Sequence, residues 1–196
     1  MGRIVVSEFV SIDGVMEDPG GAEGYEHGGW TFRFDRGEDG DRYKLEELMD
    51  AVALLLGRVT YEGFAKAWPS ITDEAGFADR MNGLPKYVVS STLENPEWNN
   101  STVLRGDPVE QVRGLRDRLA GNILVAGSAR LVQALEDADL VDEYRLLVFP
   151  VVLGTGKRLF REGGRMSNLQ LVEARQTGGA AILTLRPDRG EVPGEV

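Results

Sequence analysis

Three short polar clusters have the residue types that proteins use to bind phosphate. They are Gly57-Arg58-Val59-Thr60, Ser90-Ser91-Thr92 and Gly127-Ser128-Ala129-Arg130. Hydroxyl groups, arginine and the free N–H groups of a helix N-terminus all suit an anion. One such cluster alone is more typical of an ordinary strand-to-helix turn, because the full G-x-G-x-x-G dinucleotide motif is absent. Three together favour a ligand with several phosphates, and best a dinucleotide with a 2′-phosphate, to which arginine offers planar bidentate contact.

Each cluster follows an apolar run that is typical of a buried strand, at 51–57, 86–90 and 123–126. The third run continues into a predicted helix over 128–135, where Ser128 is expected to act as an N-cap whose hydroxyl accepts from the first free amides. Open α/β sheets bind ligands at the carboxyl ends of their strands. We therefore expect the three clusters to lie together at one edge of a sheet.

The rest of the chain also alternates between strand and helix patterns. Further strands are predicted at 3–10, 144–153 and 169–187, the last as a hairpin around Thr177-Gly178-Gly179, and further helices at 41–50, 60–68, 73–82 and 107–120. This order predicts an α/β fold with a central mixed, mostly parallel sheet, helices on both faces and a C-terminal hairpin. We expect one domain over 1–187, followed by a polar tail over 188–196.

A long Gly-rich segment, 16–40, separates the first strand from the first helix. Loops of this length within a domain are usually functional or mobile. The segment carries several aromatic residues, among them Tyr25 and Trp30. These side chains could form a lid over a flat substrate, or they could anchor the loop on the core.

Composition excludes several classes of function. The 196 residues carry a formal net charge of −10, whereas a nucleic-acid-binding surface normally has a basic excess. With no Cys and a single His, His27, no metal site is expected and zinc least of all. Gly154-Thr155-Gly156-Lys157 lacks the spacing of a phosphate-binding P-loop. The chain has no apolar run of membrane-spanning length and no signal-peptide pattern at its start, so a cytoplasmic protein without membrane partners is expected.

Five segments, in this order, resemble the dihydrofolate reductase superfamily, and within it the stand-alone relatives of the RibD C-terminal reductase domain. They are SEFVSIDGVM, LLLGRVTYEGF, KYVVSST, ILVAGSARLVQAL and DLVDEYRLLVFPVVLGTGKRLF. The resemblance implies a dihydrofolate reductase-like sheet of about eight strands and NADPH as cofactor. It also implies hydride transfer to a small heterocyclic substrate of riboflavin biosynthesis, similar to 5-amino-6-(5-phosphoribosylamino)uracil.

The resemblance also assigns cofactor-binding roles to residues of the three clusters. Gly57, Arg58 and Thr60 match a turn at the cofactor phosphates, and Ser90 and Ser91 match residues beside the 2′-phosphate. The pyrophosphate turn is matched by Gly127, Ser128, Ala129 and Arg130. Dihydrofolate reductases have a Gly-Gly cis peptide in this turn. Since Ser128 replaces the second glycine, a cis bond is not expected here.

On the substrate side the resemblance is weaker. Asp41, counted back from Gly57, falls near the carboxylate with which dihydrofolate reductases bind the pterin ring. Asp13 lies in the S-x-D-G turn of RibD-like domains, where it forms the turn or takes a catalytic role. Both are candidate catalytic residues, and Tyr25 and Trp30 are candidate substrate contacts.

Three functions stay open at this point: an NADPH-dependent pyrimidine reductase, a dihydrofolate reductase, and a nucleotide-binding module without turnover. The deaminase step of bifunctional RibD is excluded, because its zinc site needs cysteines. A small-molecule substrate is expected in each enzyme case. Many relatives form homodimers, so a homodimer is expected as well, with the apolar run 146–153 as a possible contribution to its interface.

Overall fold

An eight-stranded sheet forms the centre of the computed structural model, which describes residues 1–190. Its strands are β1 Gly2–Ser11, β2 Ala51–Gly57, β3 Lys86–Val89, β4 Ser101–Leu104, β5 Gly121–Val125, β6 Glu143–Phe149, β7 Leu169–Thr177 and β8 Ala180–Pro187. Their spatial order is β4-β3-β2-β5-β1-β6-β8-β7. The first six in this order are parallel, whereas β8 and β7 are antiparallel to their neighbours. The predicted mixed, mostly parallel sheet is confirmed.

Five α-helices cover the two faces of this sheet. They are α1 Gly37–Asp50, α2 Arg58–Ala67, α3 Phe77–Gly83, α4 Pro108–Arg118 and α5 Ala129–Asp137, with short 3-10 helices at Trp30–Arg33 and Trp68–Ser70. Buried residues of α4 and α5 form one core cluster with the sheet, and buried residues of α1, α2 and α3 form a second core cluster with it. The predicted arrangement with helices on both faces is therefore confirmed.

The apolar run 51–57 shows why this sheet is buried on both sides. Leu54 and Leu56 pack toward the helices of one face, and Ala53 and Leu55 toward those of the other. All four are at most 1% exposed. A parallel strand between two helical layers requires such a continuous apolar run, and β2 has the bounds that the sequence predicted.

Two strands differ from the prediction. β4 was not predicted at all; it is a four-residue edge strand that pairs with β3. β6 ends at Phe149 instead of continuing to residue 153, because Pro150 has no N–H to donate to a neighbouring strand.

The apolar run 146–153 was expected to contribute to a homodimer interface. Its first part belongs to β6, which lies between β1 and β8, and Leu146 and Leu147 are buried within the monomer. The part of the apolar run within β6 is therefore mainly core, whereas Val152 beyond it is 71% exposed, and the homodimer stays a prediction.

The first helix is longer than predicted. It begins at Gly37 rather than at Asp41, so that Asp41 lies beyond its first turn.

The predicted polar tail, 188–196, is described only as far as residue 190, and its remaining residues, 191–196, lie outside the described part of the chain. Among residues 1–190 no helix is long and apolar enough to cross a lipid bilayer.

Candidate functional site

The three polar clusters lie at one edge of the sheet, as predicted. β2, β3 and β5 are parallel and adjacent, with β2 in the middle. The clusters follow the last residues of these strands, so their carboxyl ends bring the clusters together. Two of the clusters lead directly into helices, α2 after Gly57 and α5 after Ser128. The first N–H groups of both helices, which have no acceptor within a helix, therefore open at the same edge.

The turns after β2 and β5 are in direct contact. The N–H of Gly57 donates to the carbonyl oxygen of Gly127 over 3.3 Å. A Cβ on Gly57 would come within 2.4 Å of Ser128 Oγ, and a Cβ on Gly127 within 2.7 Å of Thr60 Oγ1. Gly127 also has a φ of 77°, a left-handed conformation that favours glycine. Glycine at both positions thus allows the two helix N-termini to approach each other.

Ser128 differs from the expectation in two ways. Its backbone is extended, as at an N-cap, but its side chain makes no capping hydrogen bond to α5. Its hydroxyl lies against Gly57 instead. The Gly127–Ser128 peptide bond is cis, whereas a trans bond was expected.

The two predicted arginines lie at the beginnings of the two helices. Arg58 forms an i,i+4 ion pair with Glu62, at 2.9 Å, with its side chain 43% exposed. Such exposed pairs contribute about 0.3–0.5 kcal/mol, so a phosphate could displace Glu62 at little cost. Arg130 is exposed and has no ion pair within residues 1–190. Both guanidinium groups are available to an anionic ligand.

A third arginine, Arg105, belongs to the same edge and was not predicted. It directly follows β4, the strand that the sequence analysis missed. Its guanidinium donates to the carbonyl oxygens of Ser91, at 3.4 Å, and Leu93, at 2.7 Å. Ser90 organises the same loop, because its hydroxyl accepts from the N–H groups of Thr92 and Leu93. Ser91 is exposed beside this arginine.

Asp13 is a structural residue of its turn. Its carboxylate accepts hydrogen bonds from Ser11 Oγ at 2.6 Å, from the N–H of Leu153 at 3.1 Å and from the N–H of Gly154 at 2.9 Å. Desolvation opposes its ionisation, but these hydrogen bonds prevail and lower the pKa of Asp13 to about 2. An acid that stays ionised at neutral pH is unsuited to donate a proton. Of its two predicted roles, the structure favours turn formation.

Asp41, the second predicted catalytic carboxylate, lies at the surface of α1. Its side chain is 65% exposed and pairs with Arg36 over 2.5 Å. The buried carboxylate of α1 is that of Glu47, one turn and a half further along the helix, and it accepts from Ser7 Oγ over 2.7 Å. A substrate-binding role for Asp41 stays a prediction.

The 16–40 segment is folded against the end of β6. Trp30 is completely buried, donates from Nε1 to the carbonyl oxygen of Glu17 over 2.9 Å and packs edge-on against Phe149. It therefore anchors the loop, which was one of its two predicted roles, and offers no surface to a substrate. Tyr25 is partly exposed, and its hydroxyl donates to the carbonyl oxygen of Thr155 over 2.7 Å.

A buried acid, Glu8, lies directly beneath the Gly127–Ser128 turn. Oε1 of Glu8 accepts from the N–H of Gly127 over 2.5 Å. Burial raises the pKa of Glu8 to about 8, although the Gly127 hydrogen bond and the charge of Lys44 lower it. Glu8 was not among the predicted site residues, although its sequence position carries a signal: it is an acid in the middle of an apolar strand, where an unpaired charge is costly.

The structure is an α/β protein in which three polar clusters lie at one edge of a mostly parallel sheet, and comparison with known proteins identifies the family. Residues 3–183 match the model of the RibD C-terminal domain, and the chain belongs to this family. It is 28% identical over 183 residues to the uncharacterized protein YyaP of Bacillus subtilis (strain 168), covering 92% of both chains.

Solved structures show the same fold. A candidate riboflavin biosynthesis protein of Shewanella sp. PV-4 superposes with a TM-score of 0.73 at 18% identity, covering 95% of this chain and 99% of that one. The Thermotoga maritima diaminohydroxyphosphoribosylaminopyrimidine deaminase/5-amino-6-(5-phosphoribosylamino)uracil reductase gives a TM-score of 0.61 at 17% identity. Here the match covers 95% of this chain and 56% of that one. These likenesses show that the chain has the fold of these proteins.

Proposed function

We propose that this protein is an NADPH-dependent reductase that transfers a hydride to a small heterocyclic substrate, of the class of 5-amino-6-(5-phosphoribosylamino)uracil. The observation that carries the proposal is the contact between the Gly57–Thr60 turn and the Gly127–Ser128 turn. It places two helix N-termini side by side at the carboxyl edge of the sheet. Two helix ends at one point suit the two phosphates of a dinucleotide.

The donor set at this edge fits the cofactor. The N–H groups at the start of α2 and α5, with Thr60 and Ser128, would hold the pyrophosphate. Arg58, Arg105 and Arg130 are candidates for the 2′-phosphate, because a guanidinium binds a phosphate with two parallel hydrogen bonds. When bound, the cofactor supplies the hydride, and the protein supplies binding, orientation and exclusion of water.

The segment 16–40 would limit access of water to the substrate. Its buried anchor, Trp30, fixes it at the end of β6, while Tyr25 ties it to the loop after β6 through Thr155. Closing a site in this way strengthens the electrostatic contacts within it.

A second candidate function is cofactor binding without turnover. It is favoured by the positions of the two carboxylates that were expected to act in catalysis, since Asp13 is committed to its turn and Asp41 is exposed and paired. In these positions, neither carboxylate is poised to supply the proton that must accompany the hydride in a reduction.

Titration of the purified protein with NADPH and NADH, followed by nicotinamide fluorescence, tests the proposal. Saturable binding with a preference for NADPH is expected. Failure of both to bind would refute it. A subsequent screen with the phosphoribosylaminopyrimidine and with dihydrofolate then separates the two functions: oxidation of NADPH with either substrate supports a reductase, whereas binding without oxidation supports the second candidate.

A further inference from the structure

Glu8 occupies a position that the proposed reaction does not use. β1 extends beyond β5, since the last residue pair between them is Val6 with Val125. Glu8 is therefore located beside the turn that follows β5, where it accepts the N–H of Gly127. The residue is 9% exposed. A carboxyl group thus lies inside the protein against the first residue of the predicted pyrophosphate turn.

An ionised Glu8 would compete with the ligand for the same positive potential. The N-terminus of α5 and the N–H groups of its turn favour one anion at this point. A carboxylate at hydrogen-bond distance from Gly127 would be such an anion, and a phosphate on the other side of the turn would be a second. Two like charges at one site oppose each other, and the low-dielectric interior screens them poorly. A neutral acid accepts the same N–H without this conflict.

Among residues 1–190, no cation forms an ion pair with Glu8. Lys44 of α1 acts on it electrostatically, but its ammonium group hydrogen-bonds Ser7 and Glu47 instead. Glu47 and Glu23, from α1 and from the 16–40 segment, disfavour its ionisation. From α5, the charged residue nearest the turn is Arg130, which is exposed, and Glu136 and Asp137 lie at the far end of that helix.

We propose that Glu8 is a positioning residue that supports the Gly127–Ser128 turn as a neutral acid, so that binding of the anionic cofactor requires a proton on Glu8. The inference rests on the proposed function, because it takes this turn as the cofactor pyrophosphate site. The neutral carboxyl fixes the direction of the Gly127 N–H and leaves the remaining N–H groups of the turn to the ligand. Loss of its proton adds a negative charge beneath the ligand and weakens binding.

The pH dependence of NADPH affinity tests the coupling. Burial raises the pKa of Glu8 to about 8, so the wild-type dissociation constant should be nearly constant below pH 7 and rise by roughly 30-fold up to pH 9.5. In Glu8→Gln the amide oxygen still accepts from Gly127 but cannot ionise. This variant should bind NADPH within about twofold of the wild type at pH 7, and its affinity should not change over the same pH range.

A control variant and a comparison between the variants assign the pH dependence to Glu8. Glu136→Gln removes another α5-associated acid whose pKa is raised by burial, and it should keep the wild-type pH dependence. Lys86, whose pKa burial lowers to about 8, is present in every variant and cannot account for a difference between them. A wild-type affinity that stays constant to pH 9.5, or an equal loss in Glu8→Gln, would overturn the proposal.

Proton uptake on NADPH binding can be measured on the wild-type protein, so this test does not depend on whether a variant folds. Calorimetric titration with NADPH at pH 8.5, in two buffers of different ionisation enthalpy, should show uptake of about half a proton to one proton per site. Zero uptake would overturn the coupling while leaving the proposed function intact. Absence of NADPH binding at pH 7 would instead refute the proposed function, and the coupling with it.

Discussion

Gly57 and Ser128 are in contact across the ends of two neighbouring strands, and a Cβ on Gly57 would lie 2.4 Å from Ser128 Oγ and 3.0 Å from Ser128 Cβ. Gly57→Ala should therefore displace the Ser128 turn and weaken NADPH binding by about tenfold or more. Gly63→Ala, in the middle of α2, has no atom within 4 Å of its new Cβ and should leave binding unchanged.

The double variant Gly57→Ala/Ser128→Gly identifies the cause. It removes the side-chain atoms that the new methyl group meets, so it should bind NADPH about as tightly as Ser128→Gly alone, which lacks only the proposed hydroxyl contact to the pyrophosphate. Dissociation constants from nicotinamide fluorescence measure each variant. If Gly57→Ala costs as much affinity in the Ser128→Gly background as in the wild type, displacement of Ser128 is not the reason for the loss.

Cofactor selectivity should depend on the arginines at the edge. Replacing Arg58, Arg105 or Arg130 by Ala removes a charge-assisted contact of about 1.5–3 kcal/mol if that residue holds the 2′-phosphate. NADPH affinity should then fall by roughly 10- to 100-fold while NADH affinity changes little. Measuring the dissociation constants of NADPH and NADH for all three variants shows which arginine contacts the 2′-phosphate.

Arg113→Ala is the matched control for this series, because Arg113 is an exposed arginine on α4. Arg113→Ala should change neither the NADPH affinity nor the NADH affinity. Equal losses for NADPH and NADH in all three edge variants would contradict a 2′-phosphate contact and leave only a general attraction for anions.

The sequence predicted the edge of the site because its signals are local. An apolar run such as 51–57 can be buried only as a strand between two layers, and the Gly and hydroxyl residues that follow must then lie at its carboxyl end. The same reasoning placed Ser90 and Gly127 at the same edge. No tertiary contact was needed to infer that these residues meet.

The residues that could not be predicted depend on distant partners. β4 is a short edge strand that pairs with β3 alone, so its four residues carry little pattern, and Arg105 was missed with it. Glu47 is buried and Asp41 is exposed because α1 packs on Ser7 at the position of Glu47, a contact between residues 40 positions apart in the chain. Only the structure shows that Glu8 and Gly127, 119 positions apart in the chain, share a hydrogen bond.

The anchoring role of Trp30 predicts a loss of stability. Trp30 is 0% exposed and contacts Phe149, so Trp30→Ala should lower the free energy of unfolding by about 3–5 kcal/mol. Phe32→Ala, in the same 3-10 helix but with Phe32 80% exposed, should change it by less than about 0.5 kcal/mol. Urea denaturation followed by circular dichroism measures both. A Trp30→Ala protein as stable as Phe32→Ala would contradict the anchoring role.

Asp13 should stabilise the fold through its ionised form. Its folded-state pKa, about 2, lies below the ordinary value of 3.8, so this stabilisation is present above pH 4 and is lost as the pH falls through about 2. Asp13→Asn should therefore lower the free energy of unfolding at pH 7 by about 1 kcal/mol, since the carboxylate lies near solvent and its charge is partly screened. The difference between the two proteins should shrink between pH 4 and pH 2. Asp117→Asn, an exposed acid on α4, should show no such dependence in parallel urea titrations. A constant deficit for Asp13→Asn down to pH 2 would mean that the shape of the side chain, and not its charge, holds the turn.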